Sequence, residues 1–401
     1  MQDLFQVKDI LAQRFTGDDK IVTVVAPGRV NLIGEHTDYN DGFVLPMAID
    51  MQTSVAARLR NDNLIRIYSV AFNETISFSL DRMGKKQNPP WSNIPRGILW
   101  ALICEGIKLR GCDLVIGTGV PVGAGLSSSA AVEVGISTAI LSLINFAMAP
   151  ARLAKICQRA ENDFVGTQCG IMDQFIIAAG KKGQALYLDC RSLDFQHIPL
   201  MLGDYRFVIC HSGVKRSLVT AGYNERRFEC EQGTHILQKR LKNILALRDV
   251  SIEQLEKYQS EMPEHIYRRC RHVINENNLV QQSVAALRVG NLHRFGELMI
   301  ASHYSQRDNF EVSCAEVDLL VDLALGIKGV LGARLTGGGF GGCTINLVAS
   351  ESVATFKHMV ASEYERRTNI KPQFYTTSAA QGVHCLSMGD SGSFAEGARH
   401  H

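Results

Sequence analysis

Residues 120–134 read Val-Pro-Val-Gly-Ala-Gly-Leu-Ser-Ser-Ser-Ala-Ala-Val-Glu-Val, a glycine and serine loop that runs directly into a helical pattern. Gly123 and Gly125 let the backbone approach a ligand closely, and the helix start offers free N–H groups and the positive end of its dipole. Such a loop is an anion cradle. One serine would suffice as a helix cap, so Ser127, Ser128 and Ser129 together exceed what capping requires. A hydroxyl among them can also bind a magnesium ion that bridges phosphates. The segment is not the common P-loop, because G-x-x-x-x-G-K-[ST] is absent and no lysine follows the last glycine. The H-R-D and D-F-G signatures of protein kinases are absent as well.

The surroundings of this loop predict a lobe that mixes strands and helices. Alternating or β-branched runs predict strands over 21–26, 53–59, 64–70, 75–80 and 114–117. Helical spacing covers 95–109, 128–146 and 151–164. Near 190–205 the pattern changes: a strand over 205–210 precedes a long charged helical region from 223 to about 299. Strands over 333–336, 343–348 and 373–376 with a helix over 352–367 then form a two-layer α/β ending. The expected division is a first lobe over 1–200, a second over 201–388 and a flexible tail over 389–401, rich in Gly, Ser and Ala.

A chain of 401 residues is long enough for two lobes with a cleft between them. With 42 basic against 40 acidic residues it lacks the one-sided field that nucleic acid or an anionic membrane calls for. No run approaches the roughly 18 apolar residues of a spanning helix. The eleven cysteines lack C-x-x-C pairs and the start lacks a signal-peptide pattern, so a cytoplasmic protein with reduced thiols is expected. A monomer is expected too.

Two further segments carry chemistry. Residues 28–42, GRVNLIGEHTDYNDG, crowd Arg29, Glu35, His36, Asp38 and Asp41 after a strand, with apolar Val30, Leu32 and Ile33 arguing for partial burial. Carboxylates beside an imidazole can bind several sugar hydroxyls at once. A metal site at His36 and Asp38 lacks a third ligand at suitable spacing. Residues 334–348, RLTGGGFGGCTINLV, contain G-x-G-x-x-G at Gly337, Gly339 and Gly342. They lie between two strands, whereas the dinucleotide fingerprint must open a helix, so a dehydrogenase is excluded. Five glycines in six positions point to close approach of backbone to a ligand or a neighbouring loop.

In chain order and at these separations the three segments resemble the signature motifs of the GHMP kinases. Residues 28–42 are similar to the galactokinase signature, whose E-H-x-D the other branches lack. Supporting blocks are AENDFVGTQCGIMDQF at 160–175, YNERR at 223–227 and SHYSQRDNFEVSC at 302–314. The resemblance implies an α+β, two-lobed GHMP kinase fold: a ribosomal-protein-like N-terminal lobe, a ferredoxin-like C-terminal lobe and an active site in the cleft between them. It implies transfer of the γ-phosphate of ATP to the C1 hydroxyl of galactose, with Mg²⁺ as cofactor.

Residue by residue, the resemblance implies that Glu35, His36, Thr37 and Asp38, with Gly170 and Tyr223, hold the sugar. Asp173 and Arg29 flank its reacting hydroxyl. Gly123, Ala124, Gly125, Leu126, Ser127, Ser128 and Ser129 wrap the triphosphate, Trp91 and Asn93 lie near the adenine, and Ser129 and Glu161 bind the metal. The sequence departs from the family pattern at Ile94, His211 and the SSSAAVEV stretch. An N-acetylgalactosamine kinase and a sugar sensor without turnover stay open as alternatives, and Asp173 could instead cap a helix.

Overall fold

The computed structural model describes residues 6–85, 87–214 and 219–386; the expected tail over 389–401 lies outside the described residues. Six strands come first: β1 (Val22–Asn31), β2 (Phe43–Val44), β3 (Pro46–Leu59), β4 (Leu64–Ser69), β5 (Glu74–Ser79) and β6 (Cys112–Thr118). Then come β7 (Gln184–Asp189), β8 (Phe195–Pro199), β9 (Tyr205–His211), β10 (Val330–Thr336), β11 (Cys343–Ala349), β12 (Gln373–Thr377) and β13 (His384–Cys385). They form a six-stranded sheet in the order β13-β1-β3-β6-β4-β5, a four-stranded sheet in the order β10-β11-β9-β12, and a small sheet β2-β7-β8. All pairings are antiparallel except β4 with β6.

The chain folds as two α+β lobes. In the first, β1 and β3 are buried on both faces, which is why their sequences read as near-continuous apolar runs. On one side, helices Asn93–Cys104, Ser128–Leu143, Pro150–Arg159 and Met172–Ala179 build the largest apolar core against Val24, Val55 and Leu114. On the other, Val7 and Leu11 of the N-terminal helix Val7–Arg14 pack with Ala56 and Val115. A second apolar cluster crosses between the lobes, joining Val30, Leu32 and Met47 to Phe207, Phe295, Ile345 and Leu347. This shared core fixes the walls of the cleft relative to one another.

Several expected elements change on folding. The helix expected over 95–109 ends at Cys104, where Gly106 takes a left-handed φ of 80°. The helix expected through residue 164 is α-helical only to Arg159, then widens into a π-type turn over Ala160–Val165 that Gly166 closes at φ 98°. Such widened turns are frequent at functional sites, and this one carries Glu161. The charged region is not one helix but Val219–Gln238, Ile252–Lys257, Glu264–Arg288 and Leu292–Ser305. Strands β2, β7, β8 and β13 were not among the expected elements. β13 is two residues long and exists through pairing Cys385 with Val24 of β1. No helix among the described residues is long and apolar enough to cross a membrane.

Candidate active site

β1 delivers Arg29 to the cleft. Its register with β3 shifts between Pro27 and Arg29, an irregularity of the kind that re-aims a side chain. Arg29 Nε donates to Asp173 Oδ1 and Nη2 donates to Oδ2, both at 2.7 Å, a two-pronged pair that fixes the carboxylate plane. Arg29 Nη1 donates to the Gly125 carbonyl at 2.5 Å, so the same guanidinium grips the glycine loop. Asp173 sits in the first turn of the Met172–Ala179 helix, but no side chain caps that helix, which excludes the capping reading.

The glycine-serine loop enters its helix without a side-chain cap. Ser127 adopts a left-handed φ of 60° and its hydroxyl donates to Asp173 Oδ2 instead. The leading N–H groups of the Ser128–Leu143 helix, which lack intrahelical partners, thus open onto the cleft. Gly123, Gly125, Ser127, Ser128 and Ser129 line a cavity of about 450 Å³ together with Arg29, Glu35, His36, Asp38, Glu161, Gly170, Asp173 and Tyr223. Segments far apart in sequence therefore face one crevice.

Within the E-H-x-D stretch each side chain is held differently. Glu35 Oε2 accepts from Asn31 at 2.8 Å, and Oε1 accepts from the Gly337 amide at 2.9 Å and from Arg334 at 3.2 Å. Burial raises its pKa, and Arg334 opposes that rise. His36 Nδ1 is bonded to the Tyr39 hydroxyl at 2.8 Å, and the buried ring also faces the Gly338 backbone. Burial lowers the His36 pKa well below its usual value, so the ring is neutral and can donate or accept through Nε2. Tyr223 and Phe310 pack on the ring with centroids 5.5 and 4.6 Å away.

Asp38 is pushed up to about 6 by burial and then by the neighbouring Asp173 charge. Its folded pKa lies above its unfolded value of about 3.9. Ionising it therefore costs stability as pH rises through about 6, and the cost vanishes below the unfolded pKa. Asp38→Asn should accordingly raise the melting temperature at pH 8 by roughly 2–4 °C, with the gain shrinking toward pH 4. Calorimetry at the two pH values checks the sign.

A cluster of carboxylates lies under the cradle. Glu161 is pushed up to about 7 by burial and then by Asp173. Gln174 Nε2 donates to Glu161 Oε2 at 2.8 Å and to Glu133 Oε2 at 3.1 Å. Glu133 is buried, its pKa is raised by burial and then by Glu161, and its Oε1 has no partner. Among the described residues, no group of three His, Cys, Asp or Glu side chains is placed to hold a metal ion.

Some expected site residues stand elsewhere. Thr37 is fully buried and does not line the cavity; its hydroxyl donates to the Gly34 and Phe43 carbonyls and closes the loop. Ala124 and Leu126 turn their side chains into the interlobe core, leaving only their backbone to the loop. Asn93 is bonded to Gln87 and Pro90 and stays outside the cavity, whereas Trp91 lines it. The sequence reading missed Phe72, which lines the cavity and stacks on Trp91 at 5.7 Å and 11°. An aromatic in the turn between two strands was the available signal. Gly337 and Gly338 of the third segment, read from sequence as a close approach of backbone to a ligand or a neighbouring loop, line the cavity, whereas Arg334 as a partner of Glu35 was missed.

Comparison with known proteins places this geometry in a family. A model described as the galactokinase galactose-binding signature matches residues 12–59, and the GHMP kinase N- and C-terminal models match 93–181 and 283–366. The chain is 45% identical over 361 residues to a galactokinase of Chloroflexus aurantiacus, covering 90% of this chain and 92% of that one. It is 44% identical over 383 residues to a galactokinase of Roseiflexus, covering 96% and 97%. The crystal structure of Lactococcus lactis galactokinase complexed with galactose superposes with a TM-score of 0.93 at 37% identity, covering 96% of this chain and all of that one. Methanococcus jannaschii mevalonate kinase, at 20% identity and a TM-score of 0.62, shares the fold. With a cradle, a paired arginine and aspartate, and an E-H-x-D loop around one cavity, the chain belongs to the galactokinase family of the GHMP kinases.

Proposed function

We propose that this chain phosphorylates galactose at its anomeric hydroxyl with ATP, yielding galactose 1-phosphate and ADP. The observation that carries the reading is the Arg29–Asp173 pair, which lies where the anion cradle and the E-H-x-D loop meet. Glu35, His36, Asp38 and Tyr223 would hold the sugar hydroxyls, and the helix start with Gly123, Gly125 and Ser127–Ser129 would hold the triphosphate. Trp91 and Phe72 offer flat apolar faces for the base.

Phosphoryl transfer requires in-line positioning and charge neutralisation more than covalent work by the protein. Asp173 would accept the proton of the anomeric hydroxyl as its oxygen forms the new bond to the γ-phosphorus and ADP departs. Arg29, already bonded to Asp173 and to the Gly125 carbonyl, would stabilise charge on the transferring group while holding the base in place.

The residues fit a magnesium ion shared with the nucleotide. Magnesium characteristically takes one or two carboxylates, water and substrate phosphates, and Glu161 and Ser129 both line the cavity, with Glu161 beside the buried Glu133 carboxyl. Bound there, the ion would supply positive charge to the phosphates and so lower the repulsion met by the attacking oxygen. Ser129→Ala should raise the half-saturating magnesium concentration by roughly threefold to tenfold, the worth of one neutral ligand contact. An unchanged magnesium titration would remove Ser129 from the ligand set.

A coupled assay of ADP release with galactose, glucose and N-acetylgalactosamine tests the whole reading. Turnover with galactose far above the other two is expected. Preference for the acetamido sugar, or no turnover with any of them, would favour the alternatives.

A further inference from the structure

The third glycine-rich segment was the one motif whose ligand the sequence left open, and its loop joins β10 to β11. Near the end of β10 stands Arg334, among the described residues the largest side chain that is fully buried. A buried guanidinium is costly unless it is paired and hydrogen-bonded, so its partners show what it is kept for. Its Nη1 donates to Glu35 Oε1 at 3.2 Å and to the carbonyls of Asn31 and Leu32, both at 3.1 Å. Nε and Nη2 find no hydrogen-bond partner. Nη2 lies 3.8 Å from Glu276, whose Oε1 accepts from the Gly34 and Glu35 amides at 2.9 and 3.2 Å. Arg334 and Glu276 thus hold the carbonyls before the E-H-x-D turn and the amides within it.

The consequence for Glu35 is stereochemical. Each carboxylate oxygen has about two acceptor directions. Oε1 uses both, for Arg334 and the Gly337 amide, whereas Oε2 uses one, for Asn31. The carboxyl plane is then fixed, and one acceptor direction is left on Oε2 in a side chain that lines the cavity. We infer that Arg334 is a positioning residue for the sugar subsite, holding the Glu35 carboxylate in the one orientation that accepts a sugar hydroxyl. This rests on the proposed role of Glu35 as a sugar ligand. It also assigns the third motif, at its β10 end, to sugar rather than nucleotide.

The test is a set of single variants of the full chain: Arg334→Met, Arg334→Lys, Thr336→Val and Glu35→Ala. Each is measured for galactose affinity by calorimetry, for KM of galactose and of ATP, for kcat and for melting temperature. Arg334→Met should weaken galactose binding by about tenfold to a hundredfold, the span of a charge-assisted contact. KM for ATP and kcat should stay near the parent values. Arg334→Lys, which keeps the charge but not the fork, should fall between the two.

Thr336 fastens the same Asn31 carbonyl at 2.9 Å without a bond to Glu35, so Thr336→Val reports loosening of the lobe contact alone and should leave galactose affinity unchanged. Four outcomes overturn the inference: normal galactose affinity in both Arg334 variants, an equal rise in both KM values, an equal loss in Thr336→Val, or failure of both Arg334 variants to fold. If Glu35→Ala binds galactose normally, the proposed role of Glu35 fails. If Glu35→Ala loses binding while Arg334→Met keeps it, only the positioning inference fails.

Discussion

Asp173→Asn should reduce kcat by about a hundredfold to ten-thousandfold while galactose still binds, the range of a lost general base. The substitution keeps shape and size but removes the basic oxygen that would take the proton. It also leaves Arg29 without its charge partner, although the Gly125 carbonyl still holds one of its nitrogens. Stability should change little, because the Asp173 side chain is 31% exposed and partly exposed ion pairs contribute about 1 kcal/mol or less. Single-turnover measurements with saturating ATP and galactose, set beside calorimetric galactose binding, separate lost chemistry from lost affinity. Near-normal turnover would remove Asp173 from the chemistry and leave it as an anchor for Arg29 and Ser127.

Gly170→Ala should raise KM for galactose by about tenfold to a hundredfold, with KM for ATP nearly unchanged. A Cβ built on Gly170 falls 1.7 Å from Asp38 Oδ2 and 2.1 Å from its Cγ, so the carboxylate must leave its place. The constraint is space rather than backbone strain, since Gly170 has no left-handed φ. Asp38 belongs to the E-H-x-D loop and lines the cavity beside Asp173, so moving it would remove a hydrogen-bond acceptor from the proposed sugar side. The atoms nearest the added carbon all belong to Asp38 and none to residues 123–129, the proposed ATP side. Unchanged galactose KM in a folded variant would show that Asp38 does not contact the sugar.

The chemistry of the site was legible to the extent that it is local. A loop that supplies glycines, hydroxyls and a helix start binds anions through backbone N–H groups, and sequence alone specifies those. Thr37 and Asn93 do not line the cavity, for the complementary reason. A motif shows which side chains are near the ligand in the chain, but not which of them turn inward to hold their own loop. The π-type turn that carries Glu161 was invisible because helical spacing continues through it. Phe72 reads as an ordinary turn residue until Trp91 is brought against it.

By itself the sequence supplied the glycine-serine loop at a helix start, the polar E-H-x-D loop and the exclusion of a dinucleotide site, since each depends on residues close together in the chain, while the class of fold followed from the order and separation of the three segments. The meeting of Arg29 with Asp173, 144 residues away, was expected only through the family resemblance, and tertiary structure alone decided that Glu35 meets Arg334, 299 residues away. It also decided which carboxylates are difficult to ionise. Asp38 and Glu161 have shifted pKa values because other segments exclude water from them and bring Asp173 beside them. Desolvation and Coulomb interaction depend on distance in space, and separation along the chain does not encode that distance.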